Sequence, residues 1–237
     1  MVQVGGMDGV KREVVGERAG RGWYAVPAEV LAERLLGQRL VRVLEDGTRL
    51  WGRIVETEAY LGGADRASHS YNGRRTARNE SMYAVGGTAY VYFTYGMHHC
   101  MNVVCGGEDE GCAVLVRALE PPTDGDARGV REVMRAHRVA ASRARKVVEG
   151  DAWLCSGPAR LCQALAIDRA LDGEDMVGGG QLWVELVGDG PVLCAGETVG
   201  RSARIGIGNA GEWAERELRW SVRGNGCVSG RGSKRVG

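Results

Sequence analysis

Two carboxylates and a tyrosine alternate along one short segment of the sequence. In Arg53–Tyr60 (RIVETEAY), Glu56, Glu58 and Tyr60 are spaced two residues apart, so in a β-strand they project from the same face. A carboxylate buried there has its pKa raised toward the range in which it can act as a general acid or base. The alternative is a solvent-facing edge strand, which fits Glu56 better than Glu58. The alternation alone does not decide between these readings.

Tyrosine is concentrated in the segment that follows. Aromatic residues make up 6% of the chain and there is a single Phe, yet six of the seven tyrosines lie between positions 60 and 95. They are Tyr60, Tyr71, Tyr83, Tyr90, Tyr92 and Tyr95. Tyrosine suits places where a ring stacks while its hydroxyl meets a polar group, but it also favours strands for packing alone. Tyr71, Tyr83 and Tyr90 are interpreted as packing residues. Tyr95 is predicted at a turn, where an exposed ring can serve as a wedge that enters a base stack.

A metal centre and a lysine-based mechanism are both disfavoured. His98, His99 and Cys100 are adjacent, so along a strand they point to opposite faces and do not all reach one ion. The sequence predicts no metal and no other cofactor. No lysine lies between Lys11 and Lys146, which argues against an imine-forming nucleophile in the tyrosine-rich segment.

Composition predicts one soluble, intracellular domain. The chain has 237 residues, of which 44% are hydrophobic and 26% charged, with a net charge of +1. This length and hydrophobic fraction suit a single core, and the near-neutral charge argues against a protein that binds nucleic acid through bulk charge. Seven cysteines without a CxxC pair indicate free thiols. There is no apolar run that resembles a signal peptide or spans a bilayer.

Hydrophobic periodicity and turn residues predict a mixture of helices and strands. Helices are expected at Pro27–Gly37, Gly129–Val148 and Ala159–Leu165. Strands are expected at Arg39–Leu44, Leu50–Glu58, Thr88–Thr94, Cys100–Val104, Ala113–Leu119, Gln181–Leu186 and Leu218–Arg223. Glu45–Gly47 and Tyr95–Met97 are expected to turn between consecutive strands. Residues 1–22 and 224–237 mix glycine with basic residues and are predicted to be flexible ends around a domain at 23–223.

Eight segments together resemble the alkyladenine (3-methyladenine) DNA glycosylase family, and the resemblance covers the chain from about Pro27 to about Arg223. The segments that carry the resemblance include Arg53–Gly62, Ala67–Ser70, Tyr90–Met97, Cys100–Asn102, Val114–Pro121, Leu154–Pro158, Leu161–Ile167 and Ala210–Trp213. They occur in the family's order. The resemblance implies a single mixed α/β (α+β) domain with a curved, mostly antiparallel sheet flanked by helices and a protruding β-hairpin.

The resemblance also implies roles for individual residues. Glu58 corresponds to the general base that activates water, and Arg117 to an arginine that helps to hold that water. Tyr60 and His69 correspond to groups on one face of a flipped-out base, and Tyr92 to the ring on its other face. Tyr95 corresponds to the side chain that fills the gap left in the duplex. Asn102 corresponds to a pocket wall that disfavours the amino group of guanine. Glu56 corresponds to no catalytic role.

The implied activity is base excision repair by a monofunctional DNA glycosylase. The expected substrates are 3-methyladenine, ethenoadenine and hypoxanthine in duplex DNA, and the expected product is an abasic site. We expect a monomer without membrane contact, in the nucleus of a eukaryote or in the cytoplasm and nucleoid of a bacterium. Two alternatives remain open: a catalytically silent protein that binds damaged DNA, with Arg74, Arg75 and Arg78 on phosphates, and a hydrolase of free nucleosides.

Overall fold

The computed structural model describes residues 16–123, 127–142 and 150–230, and within them nine strands and four α-helices. The strands are β1 (Glu17–Arg18), β2 (Arg39–Val43), β3 (Arg49–Tyr60), β4 (Ala89–Thr94), β5 (His98–Cys105), β6 (Cys112–Glu120), β7 (Leu182–Leu186), β8 (Thr198–Ser202) and β9 (Arg219–Arg223). The α-helices are α1 (Arg21–Tyr24), α2 (Ala28–Arg34), α3 (Ala127–Ala141) and α4 (Pro158–Ala164). In these residues no helix is long and apolar enough to cross a membrane.

The longest strand, β3, lies at the centre of the sheet. Its first half pairs with β2 and its second half with β9 along one edge, while β6 runs along the other edge from Arg53 to Tyr60. All pairings are antiparallel, in the order β1-β7-β2-β3-β6-β5-β4, with β8 attached to β9. The sheet curls into a half-barrel within a single mixed α/β domain, so the predicted fold class is confirmed.

The two faces of the sheet have different compositions, because successive side chains of a strand point to opposite faces. One face carries Val91 of β4, Met101 and Val103 of β5, and Val114 and Val116 of β6, all buried in the hydrophobic core. On that face α2 packs against β3 and α4 against β5. The hydroxyl of Thr57 in β3 also donates a hydrogen bond to the Ala32 carbonyl of α2 (2.8 Å). The opposite face of the same strands is left for polar and aromatic side chains.

Strands β4 and β5 form the expected hairpin. Tyr95 lies at its tip with a φ of +51°, in the left-handed region that few non-glycine residues adopt. Its side chain is 81% exposed, and Phe93 and Met97 beside it are also exposed. The tip therefore carries three apolar or aromatic side chains into solvent.

The predicted elements agree with the structure, apart from the following differences. Strand β1 and helix α1, at the N-terminal end of the described chain, were not predicted. Helix α3 ends at Ala141, so Ser142 lies outside the helix that was predicted to include it. Residues 143–149 of that prediction lie outside the described part. Helix α2 ends at Arg34, and the chain turns at Gly37 with a φ of +85°. Strand β8 was not predicted, because Thr198–Ser202 (TVGRS) contains one apolar residue besides Gly200 and so lacks an alternating pattern.

Both ends of the described chain contact the sheet. Strand β1 pairs with β7 inside the segment predicted as an N-terminal arm. Beyond β9, inside the predicted C-terminal tail, Asn225, Cys227, Val228 and Ser229 are buried. Residues 1–15 and 231–237 of the predicted arm and tail lie outside the described residues.

Candidate active site

Four side chains form a row across the polar face of the sheet. Tyr90 of β4 pairs in register with Asn102 of β5, Asn102 with Leu115 of β6, and Leu115 with Glu58 of β3. Neighbouring strands lie about 4.8 Å apart, so the row brings side chains from four strands to one floor. Tyr92 and Cys100 form the next pair toward the hairpin tip.

A cavity of about 290 Å³ lies above this floor. Its walls come from β4, β5, β6, the loop after β3, the start of α4 and the loop after β8. The lining residues are Tyr60, Ala67, His69, Met82, Tyr90, Tyr92, Thr94, Tyr95, Cys100, Asn102, Leu115, Arg117, Pro158, Ile205, Gly206 and Ile207. The volume is at the lower end of the range for ligand pockets, roughly 300–1,000 Å³. Of the seven site residues named from the sequence, six line the cavity, and the seventh, Glu58, is bonded to three of its walls.

Glu58 is fully buried and is held at both carboxylate oxygens. Its Oε1 accepts a hydrogen bond from the Ile205 backbone N–H (2.7 Å). Its Oε2 accepts one from the Tyr60 hydroxyl (3.1 Å) and lies 3.1 Å from Nη1 of Arg117. Burial raises the pKa of Glu58 above the ordinary value, and the positive charge of Arg117 opposes that rise. A carboxylate offers about four lone-pair positions, so these three contacts leave one acceptor position, on Oε1, unused.

Arg117 connects Glu58 to the second carboxylate of β3. Its Nε donates to Oε1 of Glu56 (2.9 Å), while its Nη1 faces Glu58. Burial lowers the pKa of Arg117, but the charges of Glu58 and Glu56 outweigh burial and raise it overall. The alternation that placed Glu56 and Glu58 on one face is therefore correct, and both side chains are buried, which excludes the solvent-facing edge strand.

The aromatic walls differ in one respect from the expected arrangement. The rings of His69 and Tyr92 meet edge to face with centroids 4.6 Å apart. A planar base between two rings needs about 7 Å, twice the contact distance of roughly 3.5 Å, so His69 and Tyr92 do not hold opposite faces of one base in this conformation. His69 and Tyr92 thus lie on the same wall in this structure, whereas the family resemblance groups His69 with Tyr60.

Tyr90 supports that wall. Its hydroxyl forms a 2.8 Å hydrogen bond with Nδ1 of His69, and its ring lies 5.4 Å from that of Tyr92. Tyr90 therefore does more than pack: it fixes the orientation of His69. Burial and the nearby charges of Arg78 and Arg74 lower the pKa of His69, which favours the neutral imidazole at neutral pH.

Tyr60 and Asn102 are each fixed by a hydrogen bond. Besides donating to Glu58, Tyr60 has the guanidinium of Arg204 over its ring, 4.8 Å from the centroid. Arg204 is itself fully buried and paired with Asp65 at 2.5 Å. Asn102 donates from Nδ2 to the Tyr90 carbonyl (3.0 Å), which fixes the plane of its amide.

Several residues that hold the site were not found from the sequence. They lie between 139 and 173 positions along the sequence from their hydrogen-bond partners in β3 and in the loop after it. These residues are Arg204, Ile205, Arg219 and Ser229. No local pattern indicates such contacts, because only the path of the chain creates them. In residues 16–123, 127–142 and 150–230 no group of three or more His, Cys, Asp or Glu is placed to hold a metal ion.

A second cavity, of about 270 Å³, lies on the other side of His69. Arg66, Arg74 and Arg78 line it together with Tyr90, so positive charge surrounds the region next to the main cavity. Arg75, by contrast, is paired with Glu80 and Asp109. The charge of Arg75 is therefore balanced by two carboxylates. The three arginines that line this cavity form no such ion pair within the described residues.

Comparison with known proteins agrees with this geometry. The family model described as methylpurine-DNA glycosylase matches residues 22–226. DNA-3-methyladenine glycosylase of Homo sapiens is 47% identical over 213 residues, which cover 90% of this chain and 68% of the human protein. The mouse protein of the same name is also 47% identical, over 61% of its length. A putative 3-methyladenine DNA glycosylase of Clostridium botulinum (strain Alaska E43) is 39% identical over 97% of its length. The chain thus spans about two thirds of its mammalian relatives and belongs to the methylpurine-DNA glycosylase family.

Proposed function

We propose that this protein excises alkylated or deaminated purines from duplex DNA and that Glu58 activates the attacking water. The proposed substrates are 3-methyladenine, ethenoadenine and hypoxanthine, and the proposed product is an intact abasic site. One observation carries the proposal: a fully buried carboxylate, paired with a single arginine, is bonded to the walls of an aromatic cavity. The names of the mammalian and bacterial relatives support the reaction class.

The cavity walls are suited to a flipped-out base. Extrusion from the duplex costs a few kcal/mol, and less for a damaged or poorly paired base. Stacking on an aromatic side chain returns about 1–3 kcal/mol per base. We propose that the base lies between Tyr60 on one side and the His69–Tyr92 wall on the other. A positively charged alkylated purine gains a further cation–π attraction to the tyrosine rings.

Cleavage needs a base near the sugar and charge compensation. As the bond from C1′ to the purine nitrogen breaks, its electron pair leaves with the purine and the sugar develops oxocarbenium character. A cationic 3-methyladenine leaves as the neutral base, whereas neutral hypoxanthine and ethenoadenine take up one proton from solvent as they leave. In the proposed reaction a water on Glu58 attacks C1′ and transfers a proton to the carboxylate. General-base assistance of this kind contributes about 10²–10⁴-fold. The positive charge of Arg117 favours the ionised form of Glu58, in a site where burial favours the neutral form.

Other groups are proposed to set access and selectivity. Tyr95, exposed at the tip of the hairpin beside the cavity, is placed to fill the gap that the flipped nucleotide leaves. Asn102 is proposed to disfavour the exocyclic amino group of guanine. The protein is proposed to act as a monomer and without a cofactor, in whichever compartment holds the DNA of its cell.

Excision from a defined duplex tests the proposal. Duplexes that carry one hypoxanthine or one ethenoadenine, labelled at the base, are expected to release the free base and to become cleavable by alkali at that position. The undamaged duplex is the control. Binding without release would select the catalytically silent DNA-binding protein. Release from inosine as a free nucleoside, with none from the duplex, would select a nucleoside hydrolase.

A further inference from the structure

Four buried charges form an alternating chain behind the cavity. Arg219 Nε lies 2.6 Å from Oε1 of Glu56, Arg117 Nε lies 2.9 Å from the same oxygen, and Arg117 Nη1 lies 3.1 Å from Oε2 of Glu58. The order is therefore Arg219, Glu56, Arg117, Glu58. The two carboxylates are fully buried, and the exposed fractions of the arginine side chains are 14% and 7%.

Ser229, in the segment after β9, contacts three of these four charged side chains. The Ser229 backbone N–H donates to Oε2 of Glu56 (2.6 Å), and the Ser229 carbonyl accepts from Nη2 of Arg219 (3.1 Å). The Ser229 hydroxyl accepts from Nη2 of Arg117 (3.3 Å). Glu56 is thus held by two arginines and one backbone N–H, so its carboxylate has a fixed position.

The contacts of Arg117 define the plane of its guanidinium. Its Nε, Nη1 and Nη2 face three different partners: Glu56, Glu58 and Ser229. Only the contact through Nη1 points at the base proposed for the reaction. The other two contacts fix the orientation of the guanidinium. An arginine held in this way loses less conformational entropy when it forms a further hydrogen bond.

We propose that Glu56, clamped by Ser229, is a positioning residue that aims Arg117 at Glu58, so that the segment Asn225–Ser229 is a structural part of the active site. This inference rests on the proposed function of Glu58 as the base. It assigns a role to the carboxylate that the family resemblance left without one. Since Glu56 reaches Glu58 only through Arg117, its effect is expected to follow the position of Arg117.

The ionisation of Glu58 reports where Arg117 lies. The charged and titratable groups around Glu58 are Glu56 and Tyr60 on β3, Arg117 on β6, Cys100 on β5, and Arg204 stacked on Tyr60. Arg117 lowers the pKa of Glu58 more than Glu56 raises it. If Arg117 swings away when Glu56 loses its charge, the pKa of Glu58 rises. If Arg117 stays in place, the pKa falls, because a neighbouring negative charge has gone.

The experiment is single-turnover excision of hypoxanthine from duplex DNA as a function of pH. For Glu56→Gln and for Ser229→Ala, the acid limb of the rate profile is expected to move to higher pH, by about 1 unit for Glu56→Gln and by less for Ser229→Ala. The rate of Glu56→Gln at neutral pH is expected to fall by roughly 10²-fold, the loss typical of a misplaced group. The matched control is Glu185→Gln, because Glu185 is also a buried carboxylate between two arginines, Arg39 and Arg49, away from the cavity.

The outcomes separate the two proposals. An acid limb that stays in place or moves to lower pH in Glu56→Gln would overturn the positioning role, and so would an equal shift in Glu185→Gln. If Glu56→Gln does not fold, as judged by its thermal melting curve, Glu56→Asp decides by the same criterion, since it keeps the negative charge but draws the carboxylate away from Arg117. Absence of excision by the unmodified protein would instead contradict the proposed function on which this role depends.

Discussion

Glu56 and Glu58 lie two residues apart on the same strand face, and both are fully buried, but their surroundings differ. Glu56 faces two arginines and a backbone N–H. Glu58 faces one arginine, a tyrosine hydroxyl and a backbone N–H at the side of the cavity. Burial raises the pKa of Glu58, because the positive charge of one arginine only partly offsets the loss of hydration. Environment, and not sequence position, separates the two proposed roles.

The raised pKa of Glu58 predicts a gain in stability for Glu58→Gln. A group whose pKa is raised on folding stabilises the protein below its unfolded pKa and loses that contribution as pH rises through the folded value. The charged form of Glu58 therefore destabilises the folded state relative to a neutral side chain of the same size. Thermal melting should give a higher Tm for Glu58→Gln than for the unmodified protein at pH 7, with the difference shrinking as pH falls through the raised folded pKa and absent below about pH 4.5. A lower Tm at pH 7 would show that the carboxylate is retained for stability.

The alternation of side chains along the strands could be predicted from the sequence. The segments that complete the cavity from distant parts of the chain could not. The period of two in RIVETEAY placed Glu56, Glu58 and Tyr60 on one face, and the same period put Tyr90 beside Tyr92. The position of Tyr95 at a hairpin tip also followed from the two flanking strands. Ile205, by contrast, follows β8, a short strand without alternation, and reaches Glu58 across 147 positions. The registry of β3, β5 and β6 that builds the cavity floor is equally a long-range property.

The hairpin of β4 and β5 leads to a prediction about duplex binding. Replacing Tyr95 removes a ring that is 81% exposed, and asparagine tolerates the left-handed φ of +51° at this position. Tyr95→Asn is therefore expected to keep its thermal stability. It should weaken binding to a damaged duplex by about 10-fold, the equivalent of roughly 1.4 kcal/mol of lost stacking. Excision from a single strand, where no gap needs filling, should be less affected. Equal losses on duplex and single strand would count against the wedge.

The whole molecule is nearly neutral, yet its charge is unevenly placed. The net charge is +1, but Arg66, Arg74 and Arg78 line the cavity beside His69. Local positive charge of this kind gives salt-dependent binding to phosphates even when the total is small. The composition excluded bulk attraction to DNA, while the fold gathers a few arginines at the site.

Arg74 and Arg75 provide a matched pair for that idea. The side chain of Arg74 has no ion pair within the described residues, whereas Arg75 is balanced by Glu80 and Asp109. Titration of a damaged duplex at several KCl concentrations is expected to show that Arg74→Gln lowers the slope of log K against log[salt] by about 1. Arg75→Gln should change the slope less. If both substitutions leave the slope unaltered, this face does not contact phosphates.

Whether Glu58 is the base that activates water is decided by the substitution Glu58→Gln. Binding to a duplex with a single hypoxanthine and single-turnover release of the base are measured on the same preparation. The glutamine keeps the size of the side chain but cannot take a proton from water, so binding is expected to stay within a few-fold of the unmodified protein. Release should fall by about 10²–10⁴-fold. Release at the unmodified rate would contradict the assignment of Glu58 as the base.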